Sequence, residues 1–79
     1  MNKQPLLVLV KWIDSTYYQP SWETIQCAKQ LDVVSCVSAG WLVKKTKRRI
    51  VLAISRTNDQ YGGLICIPRC AVQSIKRLR

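Results

Sequence analysis

A chain of 79 residues has room for one domain, spanning 1–79, and for one thin core. Typical domains run to about 100–200 residues, and a chain this short buries only about 60–65% of its unfolded surface. A hydrophobic content of 48% excludes disorder, while 13 Lys and Arg against 4 Asp and Glu, with no His, give a net charge of +9 that favours polyanions.

"PLLVLVKWID" (5–14) is an apolar run ending at the turn pair Asp14-Ser15, and it reads as a buried strand. A helix is expected from about Ser21 to Leu31, with Ser21 as N-cap, Glu23 in the first turn and Ile25, Ala28 and Leu31 at helical spacing. Its Trp22, Ile25 and Ala28 side should pack on the barrel that the strands form. "VVSCVSAGWLV" (33–43) alternates: Val37, Ala39, Trp41 and Val43 point one way, and Cys36, Ser38, Gly40 and Leu42 the other. Gly40 within such a strand marks a bulge or sharp bend.

After a basic turn, "RIVLAISR" (49–56) is a further strand with Ile50, Leu52 and Ile54 on one face, so the pair should form an antiparallel hairpin. "TNDQYGG" (57–63) is a second turn cluster, "LICI" (64–67) a strand stopped by Pro68, and "AVQSIKRL" (71–78) the last strand. One strand, a helix and four short strands with tight turns predict a small antiparallel barrel.

No secretory signal is expected, because "PLLVLV" is shorter than the roughly 7–15-residue core of one and lacks a cleavage site. It is also far below the ~20 apolar residues of a membrane span. The expected setting is the cytoplasm, with Cys27, Cys36, Cys66 and Cys70 as free thiols. Their C-x8-C and C-x3-C spacings do not match paired zinc knuckles, so no metal or other cofactor is expected. Cys66, inside an apolar strand, suits a small buried hydrophobe, and Cys70 beside Arg69 an exposed thiol.

Catalysis finds little support. His is missing, and Asp14, Glu23, Asp32 and Asp59 fall on four different elements with no paired spacing. No base is evident to activate a cysteine nucleophile. The expectation is a non-enzymatic protein. Trp12, Trp22 and Trp41 read first as core material, whereas Tyr17, Tyr18 and Tyr61 sit beside turn residues and are free to stack on a base or a partner.

The basic residues form two groups. Lys44, Lys45, Lys47, Arg48 and Arg49 crowd the first hairpin, followed by Arg56; Arg69, Lys76, Arg77 and Arg79 come near the end of the chain. Charge at a hairpin tip can serve only to keep a sheet edge from pairing with another chain. Two such groups with few acids to neutralise them favour an anionic partner, and barrel topology could bring them together.

Several segments, "VKWIDS" (10–15), "CVSAGWLV" (36–43), "IVLAIS" (50–55) and "GGLICIPRCAVQSI" (62–75), resemble a group of small uncharacterised proteins encoded by phages and prophages. Strand, proline, one-turn break and final strand from Ile65 to Ile75 are similar to the end of an SH3-like barrel. Members of the group often carry an acidic or neutral hairpin where this chain has "KKTKRR". The resemblance implies a phage origin, hence a bacterial host cytoplasm, and an SH3-like fold with one inserted helix. It implies no activity and no site residues.

The expected function is binding of nucleic acid or nucleotide, interfering with a host process or defence system. The expected site is Lys44, Lys45, Lys47, Arg48, Arg49, Arg56, Arg69, Lys76 and Arg77, with Tyr17, Tyr18 and Tyr61 for stacking. Two alternatives stay open: a protein-interaction module that inhibits a host enzyme, and an assembly protein that forms a homo-oligomer through open sheet edges.

Overall fold

A computed structural model describes residues 5–17 and 20–79. The fold is mainly β: β1 (Leu7–Asp14), β2 (Val34–Lys45), β3 (Arg49–Arg56), β4 (Tyr61–Pro68) and β5 (Val72–Arg77), with a short helix α1 (Ile25–Lys29) after β1 and a 3-10 turn (Arg69–Ala71) before β5. The five strands make one open antiparallel sheet in the order β4-β3-β2-β1-β5.

Alternation decides which side is dry. Val8, Val10, Ile50, Leu52 and Ile67 are buried together, and Trp12, Leu42, Ile65, Val72 and Ile75 close over them. Each fully buried aliphatic contributes about 1.5–3 kcal/mol. Gly40 lies on this side and Leu42 half-buries there, while Val37, Ala39 and Val43 are exposed on the other, as the alternation of 33–43 predicts. In β5 simple alternation fails. The β1 register shifts between Lys11 and Trp12, so Lys11 pairs with Ser74 but Trp12 with Val72. This extra residue brings both Val72 and Ile75 to the core, although they are three apart.

β2 changes partner along its length. Val34–Trp41 pairs with β1, while pairing with β3 begins at Trp41 and ends at Lys45, with a register shift between Leu42 and Lys44. Gly40 sits at this crossover, where a Cβ would lie 2.7 Å from the Ala53 carbonyl oxygen. Glycine is needed because the backbones approach this closely.

The expected helix is shorter and placed differently. Thr24, not Ser21, is the N-cap: its hydroxyl accepts from the Cys27 N–H at 3.1 Å. Ser21 instead donates to Glu23 at 3.1 Å, and Glu23 precedes the helix rather than entering its first turn. The helix does not pack on the sheet. Trp22 is 101% and Ile25 76% exposed, and no residue of α1 is buried. Helical spacing without a facing surface carries no packing energy, and Asp32, accepting from the Val33 N–H at 2.7 Å, turns the chain into β2.

Two further expectations are corrected. Trp22 is not core material, and Cys66 is exposed, because its position on β4 faces away from Ile65 and Ile67. Cys27, Cys66 and Cys70 are exposed, Cys36 is half-buried, and no disulfide joins them. No helix among the described residues is long and apolar enough to cross a membrane.

Candidate functional site

The hairpin between β2 and β3 is shaped by Thr46. Its hydroxyl accepts from the N–H groups of Arg48 and Arg49, both at 3.1 Å, and its own N–H donates to the Arg49 carbonyl at 2.9 Å. The neighbouring Lys44, Lys45, Lys47, Arg48 and Arg49 are exposed. The 3-10 turn is tied to the same tip, since the Arg69 N–H donates to the Arg48 carbonyl at 2.9 Å. Lys45, Thr46, Lys47 and Arg69 thereby line one open groove of about 400 Å³. Lys44, paired with Val51, and Arg49, paired with Pro68, flank it from the strands.

A second basic groove lies elsewhere. Pro5, Leu6, Trp41, Arg56, Arg77 and Arg79 line a space of about 430 Å³. The Leu42 N–H donates to the Leu6 carbonyl at 2.7 Å, and the Leu78 N–H donates to the Leu7 carbonyl at 2.7 Å. These bonds hold the end of β5 and the start of β1 against the β2 crossover, which gathers residues distant in sequence around one indole. The Arg56 guanidinium carbon stands 5.3 Å from the centre of the Trp41 ring, within cation–π range. No acidic side chain lines either groove. Three guanidiniums gathered without a counter-charge repel one another, and an anion placed among them relieves that repulsion.

The predicted basic residues are therefore divided between two sites. Arg69 joins Lys44, Lys45, Lys47, Arg48 and Arg49 at the hairpin, whereas Arg56 and Arg77 meet at the other end of β3. The eight residues of β3 separate the two sites by about 23 Å, at ~3.3 Å per residue. Lys76 sits across from Leu9, on the sheet face away from the core. Tyr61 is the cross-strand partner of Arg56, at the Trp41 end. Tyr17 is exposed beyond the end of β1 and is near neither groove lining. Tyr18 lies outside the described residues.

Trp41 and Arg79 are the site residues outside the sequence expectation. Trp41 was expected in the core, yet it shares the parity of exposed Val37, Ala39 and Val43. That parity was the available signal.

The carboxylates act locally. Asp14 accepts from the Ser15 N–H at 2.8 Å, and Asp59 from the Thr57 hydroxyl at 3.2 Å, each shaping its own turn. Among the described residues no group of three His, Cys, Asp or Glu side chains could hold a metal ion. The chemistry on offer is anion binding and stacking. No family model, curated protein or solved structure matches the chain.

Proposed function

We propose that this chain is a non-enzymatic nucleic-acid-binding protein that engages a single strand through both basic grooves. The observation that carries the proposal is their arrangement: two clusters, each without a lining acid, at opposite ends of one strand. A separation of about 23 Å exceeds the reach of one phosphate and calls for several successive ones, about seven where the strand keeps the stacked 3.4 Å rise of a duplex. A mononucleotide could use one groove only, so the spacing favours a polymer over the free nucleotide. Trp41, with Arg56 against its ring, is the element suited to stacking a base, an interaction that single-strand binders use without sequence preference.

The fold we assign to this binder is an SH3-like barrel. In support, β2 serves two partners in succession, β5 lies beside β1, and a 3-10 turn joins β4 to β5. The phage-type resemblance supplies the setting we propose, a bacterial cytoplasm, with interference in a host process or defence system as the outcome.

Fluorescence anisotropy with a labelled single-stranded oligonucleotide, challenged by unlabelled oligonucleotide or by polyglutamate, tests this directly. Tight binding that oligonucleotide displaces far better than polyglutamate is the expected result. Equal displacement would reduce the site to a general polyanion surface. If no binding is seen at 50 mM salt, the proposal fails and inhibition of a host enzyme becomes the better reading.

A further inference from the structure

The segment between β1 and β2 is an unpartnered apolar arm. It leaves the β1–β2 ladder at Asp14↔Val34, and the Thr16 hydroxyl donates to the Asp32 carbonyl across its base. The described residues extend 59 × 21 × 20 Å along their principal axes. Trp22, Ile25, Leu31 and Val33 are all exposed on it. Isolated exposed apolar residues are ordinary, but a cluster of this size on one projection marks an interaction surface.

A complementary surface exists on the same chain. Where β2 leaves β3, an apolar groove of about 380 Å³ is lined by Ala39, Leu52, Ala53, Ile54, Leu64 and Ile65, among others. Ile54 and Leu64 remain exposed there, at 75% and 62%. Charge is divided the same way. On the arm itself, residues 15–33, the charged residues are Glu23, Lys29 and Asp32, a net of −1. The whole chain carries +9, so the remainder stands at +10. An apolar arm of slight negative charge and a strongly basic body with an apolar groove attract each other.

We propose that the arm docks in the apolar groove of a second copy of this chain, and the second copy's arm in the first, forming a closed two-fold dimer. Such an exchange is self-complementary, as an isologous interface requires. The area is sufficient. A standard interface takes about 800 Å² from each partner. One buried aromatic supplies about 150–250 Å², so Trp22 and Tyr17 give roughly half, leaving Ile25, Leu31, Val33 and the groove residues to complete it.

Sedimentation equilibrium on nucleic-acid-free protein at about 100 μM tests this. Wild type should show twice the chain mass of 9.1 kDa. The double variant Trp22→Ser, Ile25→Ser removes side chains that support nothing in the body, so it should keep its far-UV spectrum and fall to one chain. The groove variant Ile54→Asp, Leu64→Asp should do the same, which protects the test if either pair disturbs folding. Mixing the two variants leaves one intact arm and one intact groove, and should restore a weaker dimer. A wild-type mass of one chain, or of more than two, overturns the proposal. So does a dimer that survives the arm variant.

Discussion

Removing charge from one groove at a time should lower the salt dependence of single-strand binding in equal, additive steps. Lys45, Lys47 and Arg69 line the hairpin groove, and Arg56, Arg77 and Arg79 the Trp41 groove. At about 0.7 in log–log slope per phosphate contact on single strands, changing either triple to Gln should reduce the slope by about 2. Over a fourfold rise in salt that difference amounts to about 20-fold in affinity. The grooves stand about 23 Å apart, nearly three Debye lengths at 0.15 M ionic strength. Their long-range fields are therefore independent, and the sextuple variant should lose about 4. Anisotropy titrations between 50 and 200 mM salt give the slopes. If one triple accounts for the whole loss, the ligand sits in a single groove and the bridging argument is wrong. If neither triple changes the slope, both clusters are solvated charge.

The remaining predictions concern single residues. Trp41→Ala should weaken single-strand binding by about 1–3 kcal/mol through lost stacking, while leaving the salt slope within error; an unchanged affinity would return Trp41 to a structural role. Gly40→Ala places a methyl 2.7 Å from the Ala53 carbonyl oxygen and should destabilise the fold by about 1–3 kcal/mol, visible as a lower urea midpoint. Ile67→Ala opens the buried core and should cost about 2–5 kcal/mol by the same assay. Thr46→Val removes the acceptor of two exposed backbone N–H groups and should cost about 0.5–1.5 kcal/mol, with hydrogen exchange at Arg48 and Arg49 accelerated relative to wild type and that at Ile50 unchanged.

The strands were legible because their apolar residues alternate: in 33–43 and 49–56 the burial of Gly40, Ile50 and Leu52 follows that alternation. In β3 it fails after Leu52, since Ala53 is buried and Ile54, expected on the Ile50 and Leu52 face, is 75% exposed. The pairing of those two strands was legible from their short connection. Three features were not. Helical spacing in Ile25, Ala28 and Leu31 specifies a stripe but not a surface to receive it, and here none of the stripe is buried. The bulge that turns Val72 and Ile75 to the same side arises from pairing with β1, which local alternation cannot encode. The division of the basic residues depends on β5 running back along β1, which carries Arg77 to Leu7 and Val8 and away from the hairpin. Charge clusters are read from sequence easily; which clusters meet is decided by strand order.

Oligonucleotide length is the variable that tests the central claim most directly. Affinity measured for a series from a mononucleotide to a ten-nucleotide single strand, at one salt concentration, should rise steeply until the strand spans about 23 Å, near seven nucleotides at stacked spacing. Beyond that length it should grow only slowly. A mononucleotide that binds as tightly as the ten-nucleotide strand would contradict the two-groove account.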